Sequence, residues 1–80
     1  KMNQAIIYTK DNCIECERLR TLLQHLSVSH LEYKLGKDYN QKQFVSEFGT
    51  DAEYPQVAVD IKHIGGLKSF LNYLREKELI

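Results

Sequence analysis

The chain has 80 residues, 42% of them hydrophobic, and its 11 basic and 11 acidic residues cancel to zero net charge. That size makes one domain, 1–80, with a modest core, and the balanced charge points away from nucleic acid and membrane surfaces as partners. No apolar run approaches the ~20 residues of a membrane-spanning helix, and residues 1–3 read as a loose lead-in rather than as part of a signal peptide.

Ala5 to Thr9 is β-rich and mostly apolar without clean alternation, which suits a central strand buried on both faces. Asp11 and Asn12 follow as capping types. Cys16, Leu19, Leu23 and Leu26 then recur at intervals of three, four and three, with Leu22 widening the stripe. This is an amphipathic helix of about three to four turns. Its apolar stripe includes Cys16 and leaves out Cys13, so Cys16 is expected buried and Cys13 exposed.

Leu31-Glu32-Tyr33-Lys34-Leu35 alternates apolar and polar and reads as an edge strand with one wet face. Gly36 to Asn40 is a loop. Gln41 to Phe48 is a short helix with Phe44, Val45 and Phe48 inward and Gly49 as its C-cap. Gln56 to Val59 is a strand, Asp60-Ile61 a turn, and Lys62 to Ile64 a short strand stopped by Gly65-Gly66. Leu67, Phe70, Leu71 and Leu74, spaced i, i+3, i+4 and i+7, form the last helix. The order is β-α-β-α-β-β-α. Its first half is a βαβ unit, whose strands run parallel through a right-handed crossover. Its last two strands are linked too tightly for anything but an antiparallel hairpin. The fold class is α/β, with one four-stranded mixed sheet and helices on both faces.

The only two cysteines, Cys13 and Cys16, sit where the first strand gives way to the first helix. A helix N-terminus leaves backbone N–H groups unpaired and carries partial positive charge. Both favour a thiolate, the nucleophilic form of cysteine. Lys10 adds positive charge nearby. A thiol three residues on reaches back to close a disulfide, so the pair reads as a nucleophile and a resolving thiol. Two cysteines this close are a poor structural staple, because the loop they close is tiny, and such pairs belong to a reducing compartment. A zinc site would have to recruit His25 and His30 in a C-x2-C-x8-H-x4-H pattern, shorter than the usual finger spacing. The histidines, His63 included, read instead as surface or strand residues.

Four segments together resemble the glutaredoxins, small members of the thioredoxin-fold superfamily. They are Ile7-Tyr8-Thr9-Lys10, Cys13-Ile14-Glu15-Cys16, Tyr54-Pro55-Gln56-Val57 and His63-Ile64-Gly65-Gly66, in family order across nearly the whole chain. The resemblance implies the thioredoxin fold, a cis Pro55 facing the cysteines, and thiol–disulfide exchange with glutathione as reducing co-substrate and no tightly bound cofactor. By resemblance, Cys13 and Cys16 are catalytic. Lys10, Glu15, Tyr54, Pro55, Gly66, Leu67 and Lys68 meet substrate or glutathione, and no metal is held. The implied partners are glutathione and disulfide-containing proteins such as ribonucleotide reductase, for a cytoplasmic monomer.

The chain departs from the family in three places. Ile14 and Glu15 stand where proline and tyrosine are common, Glu53 where threonine is common, and Lys68 near a position that is commonly acidic or small and polar. An anionic Glu15 opposes a Cys13 thiolate, and a lysine ammonium at 68 only donates. Two other readings stand beside this one: a glutaredoxin-like thioredoxin recycled by thioredoxin reductase, and an iron–sulfur module in which two copies hold a cluster through Cys13 and glutathione.

Overall fold

The computed structural model describes residues 4–80, and the reading of 1–3 as a loose lead-in lies outside the described residues. Seven elements follow the expected order: β1 (Ala5–Thr9), α1 (Ile14–His25), β2 (His30–Lys34), α2 (Gln41–Phe48), β3 (Gln56–Val59), β4 (Lys62–Gly65) and α3 (Leu67–Glu76). The strands form one sheet in the order β2-β1-β3-β4. β1 and β2 are parallel, whereas β3 runs antiparallel to both β1 and β4.

Alternation along β1 and β3 divides the core between the two faces of the sheet. Ala5 and Ile7, opposite Val59 and Val57, pack with Leu19 and Leu23 of α1 and Phe70 and Leu74 of α3. Ile6 and Tyr8, opposite Ala58 and Gln56, face the other way. There α2 packs on Tyr8, with Phe48 against Tyr8 at 4.9 Å between ring centroids and Phe44 against Phe48 at the same separation. A capping box starts α2: the Asn40 side chain accepts from the Gln43 N–H, and the Gln43 side chain accepts from the Asn40 N–H, both at 2.8 Å. Among the described residues no helix is long and apolar enough to cross a membrane.

β4 runs through Gly65 rather than stopping at Ile64, and two further local expectations change. The second strand runs His30–Lys34 rather than 31–35, and Leu35 makes only an isolated bridge to Tyr39. Its half-buried side is the polar one. Leu31 and Tyr33 are 45% and 37% exposed on the α2 face, while Glu32 turns towards α1. The short α2 does not reach this edge of the sheet, and α1 offers Glu32 a cation in Arg20. The second change is at the start of α1, where Cys13, not Asp11 or Asn12, is the N-cap. Asn12 instead takes a left-handed φ of 54° and turns the chain into the helix.

Candidate active site

The register brings three segments to one end of the sheet. β1 leaves at Thr9 and runs through Lys10 to Cys13. β3 enters at the same end, since Gln56 lies opposite Tyr8. β4 returns there, since Gly65 lies opposite Val57. The Cys13 loop, the Tyr54-Pro55 turn and the start of α3 are therefore neighbours, although 53 residues separate Cys13 from Gly66.

At the Cys13 loop, the Cys16 N–H donates to Cys13 Sγ at 3.1 Å, so the sulfur itself caps the helix. A cap acceptor gains from negative charge, because orphan N–H groups and the helix dipole both stabilise an anion there. The two sulfurs are joined as a disulfide, with Cα atoms 5.2 Å apart. Cys13 is partly exposed and Cys16 completely buried. Ile14, 68% exposed, places apolar surface beside Cys13, and Glu15 is exposed next to it.

At the Pro55 turn, the Tyr54–Pro55 peptide bond is cis. The Gln56 side chain donates to the Glu53 carbonyl at 2.8 Å and ties the turn from within. Tyr54 stacks on Phe44 of α2 at 4.2 Å between centroids, with planes 12° apart. Over the Tyr54 ring lies Lys10 Nζ, 5.0 Å from its centroid, within cation–π range.

At the start of α3, Gly65 has φ 124°, and a Cβ there would lie 3.0 Å from both Cβ and Oγ of Ser69. Only glycine suits that position. Gly66 caps α3 without any side-chain bond. A Cβ on Gly66 would lie 3.6 Å from the Pro55 carbonyl oxygen, so the two segments touch closely. Leu67 packs against the core and Lys68 is exposed.

Of the expected residues, the structure thus brings together Cys13 with Cys16, Lys10 with Tyr54, and Pro55 with Gly66. It leaves Glu15 and Lys68 on the surface. His25 and His30 do not join the cysteines, and no group of three His, Cys, Asp or Glu side chains fit for a metal occurs among the described residues.

Cys13 and Lys10 also line an open polar cavity of about 460 Å³, together with Glu17, Arg20, Glu32 and Lys37, among others. Its floor is an ion pair that sequence reading missed. Arg20 donates from Nη2 and Nε to Glu32 at 2.6–3.0 Å, and Thr9 Oγ1 donates to Glu32 at 2.6 Å. Arg20 and Glu32 lie on different elements, so no local spacing announces them.

The Arg20 hydrogen bonds hold the Glu32 carboxyl down at about 2, against the opposing effect of burial. A carboxylate whose pKa is depressed in the folded state stabilises the fold above its unfolded value, near 4.5. That contribution fades as pH falls from about 4.5 towards 2. Glu32→Gln should therefore cost about 1–2 kcal/mol at neutral pH, allowing for solvent screening of a partly exposed pair. Its penalty should vanish in urea titrations near pH 2; a penalty independent of pH would contradict the assignment.

Comparison with known proteins agrees with this geometry. The family model described as Glutaredoxin matches residues 5–64. Over 65 residues the chain is 32% identical to Glutaredoxin 3 of Escherichia coli (strain K12), covering 81% of this chain and 78% of that protein. Over 80 residues it is 26% identical to Glutaredoxin 1 of Rickettsia prowazekii, covering 98% and 84%. Among solved structures, reduced Escherichia coli glutaredoxin superposes with a TM-score of 0.77 at 23% identity, over 94% of this chain and 96% of that one. Glutaredoxin 1 from Francisella tularensis, complexed with cacodylate, gives 0.72 at 22% identity over 95% of each chain. These structural likenesses establish the α/β thioredoxin-like fold.

Proposed function

The chain belongs to the glutaredoxin family of thiol–disulfide oxidoreductases, with a dithiol site, and from that premise we propose that Cys13 is its nucleophile, Cys16 its resolving thiol and glutathione its reductant. The observation that carries the assignment is the asymmetry of the pair. Cys13 is partly exposed and receives a helix N–H on its sulfur, whereas Cys16 is fully buried.

The reaction on a protein disulfide then runs in two exchanges. Cys13 thiolate attacks one substrate sulfur, forms a mixed disulfide and expels the other sulfur as a thiolate. Cys16, deprotonated, attacks Cys13 sulfur, closes Cys13–Cys16 and expels the second substrate thiolate. Two electrons pass from the dithiol to the substrate. Two glutathione molecules restore the enzyme: one opens the disulfide onto Cys13, and the other removes it as glutathione disulfide. With a glutathionylated substrate, Cys13 alone carries the cycle.

Glutathione would lie between the Tyr54-Pro55 turn and the start of α3. Lys10 offers it a cation, the Tyr54 backbone an extended-strand partner, and Gly66, Leu67 and Lys68 the open end of a helix. Ile14 and Glu15 flank the thiol on the substrate side. The partners so defined are glutathione and proteins bearing a reducible disulfide, of which ribonucleotide reductase is a family-level example, in a reducing, cytoplasmic setting.

Two NADPH-linked assays on the oxidised protein test the choice of reductant. Glutathione with its reductase should restore the dithiol; restoration only by thioredoxin reductase would make the chain a glutaredoxin-like thioredoxin with that enzyme, not glutathione, as its electron source. Lys10→Ala should raise the KM for glutathione about three- to tenfold with kcat little changed, as loss of one exposed charge contact does. The difference should shrink at high salt. An unchanged KM would remove Lys10 from the site.

A further inference from the structure

Two residues before Pro55, Glu53 is exposed, yet its side chain lies along the start of α3. A Cβ on Gly66 would meet Glu53 Cγ at 3.4 Å and the Glu53 carboxyl carbon at 3.5 Å. Gly66 caps α3 without a side-chain bond, and the first turn of α3 contains no acid. The helix thus begins with unpaired N–H groups and partial positive charge, and Glu53 supplies from a neighbouring loop the negative charge that α3 lacks. This is the same helix end that meets the Pro55 carbonyl and shares the end of the sheet with Cys13.

We propose that Glu53 is a specificity-determining residue whose carboxylate, lying beside the start of α3, disfavours disulfides that present a carboxylate there and so favours neutral or cation-flanked protein disulfides over those of glutathione. The inference rests on the reading above, that ligands occupy the groove between Pro55 and α3. A ligand carboxylate drawn to the helix end meets a like charge at close range. Even in water such an encounter weakens binding about fivefold. Lys68 and Lys10 act in the opposite sense, so Glu53 tunes an otherwise anion-seeking groove.

The test uses single turnovers of the fully reduced protein with two oxidants, glutathione disulfide and the uncharged bis(2-hydroxyethyl) disulfide. In each, Cys13 thiolate expels one thiolate from the oxidant and Cys16 expels the other. The Cys13–Cys16 bond forms, one disulfide is reduced to two thiols, and the two cysteine protons end on the products. The readout is the ratio of second-order rate constants, glutathione disulfide over the neutral disulfide. Glu53→Gln, which removes the charge and keeps the shape, should raise that ratio about fivefold, and Glu53→Thr should do the same. A ratio that stays put in both variants overturns the proposal. A ratio that falls means Glu53 attracts the glutathione ammonium, and overturns it equally. Wild-type protein that reduces neither disulfide would instead sink the underlying thiol-exchange reading, so the two failures are separable.

Discussion

Cys13→Ser should abolish turnover of every disulfide substrate, a loss of more than about a thousandfold, because no other group can make the first sulfur–sulfur bond. Cys16→Ser should behave differently. It should keep turnover of glutathionylated substrates, where glutathione itself removes the adduct from Cys13, and lose turnover of protein disulfides that need an internal resolving thiol. The contrast follows from burial. Cys16 lies on the buried face of α1 with no exposure, so it meets Cys13 and not the incoming disulfide. Coupled assays on both substrate types check this. Equal loss of both activities in Cys16→Ser would mean that the two sulfurs do not divide the work as argued.

Phe44→Ala should be the most damaging change outside the thiols. Phe44 is 2% exposed and is the centre of an aromatic cluster, stacked on Tyr54 at 4.2 Å and on Tyr39 at 5.9 Å, with Phe48 at 4.9 Å. Emptying that position should cost about 3–5 kcal/mol, a large part of the ~5–15 kcal/mol that holds a domain together. The melting temperature should fall by about 15 °C or more. The effect should also reach the site, because Phe44 supports the ring over which Lys10 lies. Phe44→Leu keeps most of the volume and should stay folded while raising the KM for glutathione. A thermal melt and a KM on the two variants read these effects separately; a shift under about 5 °C for the alanine variant would contradict the packing argument.

Much of this architecture was legible because it is local. The repeat from Cys16 through Leu23 places one cysteine in the core and the other outside it without any knowledge of the fold. The helix from Gln41 to Phe48 was readable to its ends, since Gly49 stops it and Phe44, Val45 and Phe48 mark its inward side. Alternation in 31–35 announced a strand but not its facing, because period two is the same whichever side is buried. Only the reach of α2 and the position of Arg20 decide that Glu32 turns inward. The N-cap was misplaced by two residues at most, and for a chemical reason: a sulfur took the role that Asp11 or Asn12 was expected to fill. Contacts such as Lys10 with Tyr54 and Glu53 with Gly66 join distant segments. Family resemblance pointed to Lys10, Tyr54 and Gly66, but what Glu53 touches was visible only in the folded chain.

The central claim is that Cys13, not Cys16, is the reactive thiolate. Limited alkylation of the fully reduced protein with iodoacetamide near neutral pH, read by peptide mass spectrometry, tests it most directly. Cys13 should carry nearly all of the early label, with Cys16 modified only after unfolding. Preferential labelling of Cys16 in the folded protein would contradict the account.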